Sequence, residues 1–424
     1  MTATQAVDQA WQASPYASPA KRIRWVLFTA MSLASASAIA MATVNSIVGA
    51  DLGGSPAWAG VPSATILVGS ALASPLWGVL SDRLGRRGSL AAGMALGVLG
   101  AALAGAGVVR ESLAWFLIGL GLTGFASAAV QLSRFAAGEV HPPALRAQAI
   151  STVVLGGAVG SIAGPVLVAP SGAVAASRGM NELVGPFGAS MLLSGAASLV
   201  VAWRLRPEPR RLGAEVAAAF AGETIGDRVV RPLAEILGGR AARLAVAAMA
   251  LGQMVMVMVM VITSLHMRRH DHALSSISFV IASHTLGMFA TSLISGRLAD
   301  RWGRVPAIAL GAAILALASL AASLSPDVLP MSLALFSLGL GWNLCYVGGS
   351  ALLADQLRPA ERARTQGVND LLVGAASAVG SLGSGVVFAA VGFSTMAFFG
   401  AAVSLIPLTM ALAARRPAPA LEGV

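Results

Sequence analysis

Apolar residues along this chain gather in long, nearly unbroken runs separated by short polar breaks. Each run is close to the ~20 residues a helix needs to cross the hydrocarbon core of a bilayer. Twelve such runs are read, over residues 25–49, 57–80, 88–109, 112–136, 149–169, 186–203, 244–266, 274–296, 305–323, 331–354, 366–390 and 394–414. The expected fold class is therefore an all-α polytopic membrane protein with twelve transmembrane helices. A β-barrel would show short segments of alternating pattern instead. Most breaks are brief. The break over 204–243 is long and charged and carries Pro207, Pro209 and Pro232. It reads as a cytoplasmic central loop between two six-helix halves, 25–203 and 244–414. Residues 1–24 read as a cytoplasmic tail, disordered over 1–20, and not as a cleaved signal, because no basic segment opens it. Residues 415–424 read as a second cytoplasmic tail.

Composition agrees with this pattern. The chain is 56% hydrophobic and 11% charged, where a soluble domain carries roughly 25% charge. The net charge of +10 would suit a nucleic-acid partner in a soluble protein. Its distribution points to the lipid bilayer instead. With both termini in the cytoplasm, 24 of the 28 Lys and Arg residues fall on the cytoplasmic side, and only Arg110, Arg178, Arg268 and Arg269 fall outside. That bias fixes an orientation in a bacterial inner membrane. A lone cysteine, Cys345, leaves no intrachain disulfide. No nucleotide loop, catalytic triad or closed metal cage is present in the sequence, so neither an enzyme nor a permanent cofactor is expected.

The two halves repeat. "GVLSDRLGRR" (Gly78–Arg87) follows the second run and "GRLADRWGR" (Gly296–Arg304) follows the eighth, with Asp82 and Asp300 218 residues apart. "GEVHPPALRAQ" and "ADQLRPAERAR" follow the fourth and tenth runs, with Glu139 and Asp355, Pro143 and Pro359, and Arg146 and Arg362 each 216 apart. Two anchors at nearly one offset indicate duplicated halves. Gly78–Arg87 resembles the loop signature of the major facilitator superfamily, G-x-L-[SA]-D-R-x-G-R-R. That resemblance implies two pseudo-symmetric halves, a monomer, and transport by rocking around a midplane site. It also implies gating roles for Asp82, Arg83, Arg86, Asp300 and Arg301. Arg134, near the cytoplasmic end of span 4, is the expected partner of Asp82 and joins that gating set. The glycines of "GGAVGSIAGP" in span 5 resemble the Gly-Pro motif of the family's exporters. Glycines four apart also serve plain helix packing.

The candidate chemistry lies in spans 7 and 8. Four of the five histidines fall within nineteen residues (His266, His270, His272, His284), and seven of the sixteen methionines lie between Met249 and Met288. In "QMVMVMVMVI" a helix turns about 100° per residue, so the four methionines divide into two pairs on nearly opposite faces. Met256 and Met260 share a face with Gly252, Gln253, Thr263 and Ser264, and Met249 joins it deeper. Met254 and Met258 are expected to face lipid or a neighbouring helix. In span 8, His284 and Met288 share a stripe with Thr291 and Ser295. Met256 and His284 fall at similar depth near mid-membrane.

Thioethers with one imidazole suit Cu(I), because neutral, polarizable sulfur binds a soft ion without the burial cost of a carboxylate. M-x-x-x-M followed by H-x-x-x-M resembles the CcoA-type copper importers of the same superfamily. The resemblance implies a transient metal site of Met256, Met260, His284 and Met288, copper as the transported ion, and inward movement. His266, His270 and His272 would receive the ion outside. Methionine is also an ordinary filler of membrane helices. The alternative is therefore a small organic cargo, a drug, metabolite or riboflavin-like molecule, moved by proton coupling with His284 as relay.

Overall fold

The computed structural model describes residues 9–220 and 231–414, and these are helical with short turns. Ten helices are long and apolar enough to cross a membrane: Ala17–Gly53, Pro56–Val109, Leu113–Glu139, Pro143–Val166, Glu182–Arg204, Arg240–Arg268, Leu274–Trp302, Arg304–Ala322, Val328–Asp355 and Arg364–Ala414. Spans 2 and 3 of the sequence reading both fall on Pro56–Val109, and spans 11 and 12 both fall on Arg364–Ala414. Each double-length helix bends at a left-handed glycine, Gly85 (φ 74°) and Gly392 (φ 80°). Gly303, between spans 8 and 9, is left-handed too, at φ 97°. Gly85 and Gly303 sit 218 residues apart, the offset of the repeat. A side chain in this backbone region is strained, so the duplicated signature fixes the same turn twice.

By contacts the chain divides into two units: residues 1–48 with 65–224, and residues 49–64 with 225–424. In the first, span 5 lies directly on span 1. A Cβ at Gly160 would fall 1.9 Å from the Ser32 carbonyl oxygen, and Cβ atoms at Gly156 and Gly164 would fall 2.5 and 2.7 Å from the Phe28 and Ala36 carbonyl oxygens of the same helix. The span-5 glycines are thus a packing seam. In the second unit, span 8 presses on span 10. A Cβ on Gly339 would lie 2.4 Å from the His284 carbonyl oxygen and 2.8 Å from the Met288 nitrogen. Span 8 is interrupted between Phe289 and Ser292, immediately after the H-x-x-x-M stretch.

One tail expectation needs correction. The N-terminal tail is not disordered from residue 9 onward. Trp11 is 6% exposed and meets His141 and Phe220, with ring centroids 5.6 and 5.7 Å away. It belongs to one apolar core with Ile23, Leu90, Val201, Leu212 and Val216. The reason is local. Leu212 and Val216, one turn apart on the central-loop helix Pro209–Ala219, form an apolar stripe, and Trp11 and Phe220 join it. The central loop also holds a short helix, Leu233–Gly238. The remainder of both tails and residues 221–230 lie outside the described residues.

Candidate functional site

The signature loops are tied by two matching ion pairs. Arg86 donates from Nε to Glu139 Oε2 at 2.9 Å and from Nη2 to Oε1. In the second unit, Arg304 donates from Nε to Asp355 Oδ2 at 3.1 Å, and its Nη1 lies 3.1 Å from Asp300 Oδ1. Both partners obey the repeat. The expected Asp82–Arg134 pair does not form: the Arg134 guanidinium lies 4.9 Å over the Phe135 ring, with its Nε buried and unpartnered. Asp82 instead offers its backbone carbonyl to Arg210. Arg83 and Arg301 are exposed. Glu208 accepts from the Arg86 backbone N–H at 2.6 Å, where span 3 restarts after the Gly85 bend and an anion is favoured.

Glu361 plays a corresponding part in the second unit. It is 1% exposed and accepts from the Arg231 side chain at 2.7 and 2.9 Å and from the Arg231 and Arg358 backbone N–H groups at 3.0 Å. The Arg231 guanidinium, foremost, holds the Glu361 carboxyl at about 2, below its usual 4.5. The stabilisation is therefore complete above about pH 4.5 and is lost as pH falls toward about 2. Glu361→Gln should lower the thermal midpoint of the detergent-solubilised protein at neutral pH. The gap to wild type should narrow on acidification below about pH 4.5. A gap of constant size down to about pH 3 would contradict this assignment.

Within spans 7 and 8 the predicted residues are placed as follows. His284 is wholly buried, and its Nδ1 lies 2.8 Å from the Leu335 carbonyl oxygen on span 10. Only an N–H can bond a carbonyl, so in the neutral ring Nδ1 carries the proton and Nε2 keeps its lone pair. That Nε2 is buried with no partner. Met288 is half-buried, and its carbonyl accepts from Asn343 at 2.7 Å. Met256 is 3% exposed and Met260 half-buried. Met258 packs toward Gly400 and Met254 toward Gly380, so both meet neighbouring helices, not lipid alone. The Met249 sulfur already accepts from Ser350 at 3.3 Å and Asn369 at 3.7 Å.

Spans 7 and 8 touch each other little, and both lean on span 10. The two ligand pairs therefore sit on separately packed helices. Among the described residues, no three of His, Cys, Asp and Glu come together in a way that would hold a metal. Two of the three histidines expected to receive the ion are engaged with other partners. The His266 ring stacks on Phe393 at 4.1 Å, and His270 Nδ1 bonds the His266 carbonyl at 2.9 Å. His272 is half-buried.

The sequence reading missed an aromatic cluster on span 10. Trp342 and Tyr346 stack at 5.2 Å, and Phe289 meets Trp342 edge-on at 6.4 Å. Trp342 Nε1 donates to Gln253 Oε1 at 2.7 Å, and the Gln253 amide reaches Ser377 at 3.3 Å. Both aromatic rings are only half-buried. The available signal was a tryptophan and a tyrosine four apart in mid-span, where a helix puts them on one face. In the first unit, Asn45 of span 1 is 1% exposed with both amide atoms unpartnered.

Comparison with known proteins agrees with this architecture. Uncharacterized MFS-type transporter YdeG of Bacillus subtilis (strain 168) is 32% identical over 392 residues, 91% of this chain and 90% of that protein. Riboflavin transporter RfnT of Brucella anthropi is 30% identical over 297 residues, 68% of this chain and 70% of that one. Among solved structures, the nucleoside transporter NupG superposes with a TM-score of 0.71 at 14% identity, covering 94% of this chain and 100% of that one. A bacterial homolog of the lysosomal transporter Spinster, inward-facing and occupied, gives 0.71 at 16% identity, covering 96% and 100%. The Major Facilitator Superfamily family model matches residues 26–275 and 244–423. With that match over most of its length and the signature turn made twice, the chain belongs to the major facilitator superfamily of membrane transporters.

Proposed function

We propose that this chain is a secondary transporter that works by alternating access, with copper as its cargo, moved inward across a bacterial inner membrane with both termini in the cytoplasm. The observation that carries the reading is His284. A buried polar atom without a partner costs roughly 1–3 kcal/mol, and His284 Nε2 is one. Its Nδ1 faces the Leu335 carbonyl. A metal-binding imidazole is typically held in this way, with one nitrogen donating to a carbonyl and the other free for the ion. Met288 lies one turn further on the same face, and Met256 and Met260 form a second one-turn pair on span 7. Four neutral donors on two helices suit a soft monovalent ion that must also leave. The Arg86–Glu139 and Arg304–Asp355 pairs, with Asp82, Arg83, Asp300 and Arg301 in the same loops, are assigned to gating by a single chain acting as a monomer.

A second reading has its own support. The Trp342–Tyr346 stack with Gln253 is a flat, hydrogen-bonding surface suited to a planar aromatic ring, and one relative is named a riboflavin transporter. Labelled copper and labelled riboflavin uptake, measured side by side in cells making the protein, separates the two. Copper above the empty-vector level, lost in the Met256→Leu, Met260→Leu double variant, is the expected result. Riboflavin uptake that survives this pair but falls with Trp342→Ala would overturn copper in favour of the aromatic cargo.

A further inference from the structure

We propose that the cytoplasmic end of the first unit holds a binding site for the headgroup of an anionic phospholipid. A cavity of about 470 Å³ opens between the end of span 4, the start of span 5 and the central-loop helix. Its polar lining is Arg146, Arg210 and Glu139, and its apolar wall is Phe135, Ile150, Ala214 and Ala217. The acid is already neutralised, because Glu139 takes both carboxylate contacts from Arg86. The two arginines therefore leave the cavity net positive.

Each arginine is held in place by a backbone carbonyl. Arg146 Nε donates to the His141 carbonyl at 3.3 Å, and Arg210 Nη1 donates to the Asp82 carbonyl. A guanidinium has five N–H donors in a fixed fork that matches phosphate oxygens. Most donors of both groups remain for a ligand. The arginines come from two different segments, so a bound phosphate would join the central-loop helix to the start of span 5. The apolar wall decides the class of ligand. Phe135 is 51% exposed, and a ring beside two guanidinium groups suits a phosphate that carries an acyl chain. The site also lies on the side where Lys and Arg concentrate, the side on which anionic lipids hold basic groups.

The test uses the purified full-length chain in a neutral detergent. Its thermal midpoint is titrated with phosphatidylglycerol, phosphatidylcholine or inorganic phosphate. Phosphatidylglycerol should raise the midpoint and the other two should not. Arg146→Gln with Arg210→Gln should weaken the apparent phosphatidylglycerol affinity about thirtyfold, at the usual contribution of two surface arginines. Ala217→Glu leaves both carbonyl contacts in place and should also weaken it, which guards against a misfolded double variant. Equal stabilisation by phosphatidylcholine would overturn the site. Equal stabilisation by inorganic phosphate would overturn the lipid as its ligand. Variants that respond as wild type would overturn the residues assigned.

Discussion

His284→Asn should weaken Cu(I) binding by at least the roughly 10–100-fold that losing a mere supporting contact costs a metal site, while the thermal midpoint stays close to wild type. The two effects separate because asparagine keeps one half of the histidine's work. Its amide nitrogen sits near the position of Nδ1 and can still donate to the Leu335 carbonyl, now 2.8 Å from the ring. It offers nothing at Nε2, the buried atom without a partner. The asparagine Oδ1 is itself a buried acceptor, so the cost of roughly 1–3 kcal/mol for an unpartnered polar atom is exchanged and not increased, and the midpoint falls only by the packing lost with the smaller side chain. Titration of the purified protein against a coloured Cu(I) chelator reads the affinity, and a melting curve reads the fold. Unchanged affinity with a lowered midpoint would make His284 a structural residue.

The second large effect is expected at Gly339. Gly339→Ala should destabilise the protein by about 1–3 kcal/mol, the usual range for overpacking, and should weaken Cu(I) binding as well. The new Cβ would lie 2.4 Å from the His284 carbonyl oxygen and 2.8 Å from the Met288 nitrogen. Both obstacles are backbone atoms of a packed helix, so neither can rotate aside. Spans 8 and 10 must part, and the His284–Leu335 bond lies one turn away on the same seam. Gly367→Ala supplies the comparison, since a Cβ there meets nothing within 4 Å. If Gly339→Ala melts with Gly367→Ala and binds copper as tightly, the seam does not hold the imidazole.

Much of the fold was legible because membrane-spanning helices advertise themselves. A bilayer demands long apolar runs, and duplication copied both loop anchors at nearly one offset. The same duplication held a signal that went unused. Arg86 and Arg304 repeat, and so do Glu139 and Asp355, so the pair most consistent with the repeat joined them. Arg134 was expected to meet Asp82 on proximity to a span end alone, and span 10 carries Ser350 at the matching position. Average polarity of a tail hides a single Trp11 able to complete a core with Leu212 and Val216.

The candidate site was legible by face but not by partner. Helical spacing marks which residues share a stripe, and it placed His284 inside correctly. It carries no information on which helix lies opposite. The Leu335 carbonyl that orients His284 is 51 residues away, and a backbone acceptor leaves no trace in a residue pattern. The same limit concealed that Met258 and Met254 pack toward Gly400 and Gly380, and that Gln253 bonds Trp342.

X-ray absorption at the copper edge of the Cu(I)-loaded, reduced protein tests the central claim most directly, because it reads the atoms around the ion. The account predicts sulfur scattering from thioethers and the outer-shell pattern of one imidazole, with the imidazole pattern lost in His284→Asn and the sulfur reduced in the Met256→Leu, Met260→Leu variant. A first shell of nitrogen and oxygen only, identical in all three proteins, would contradict it.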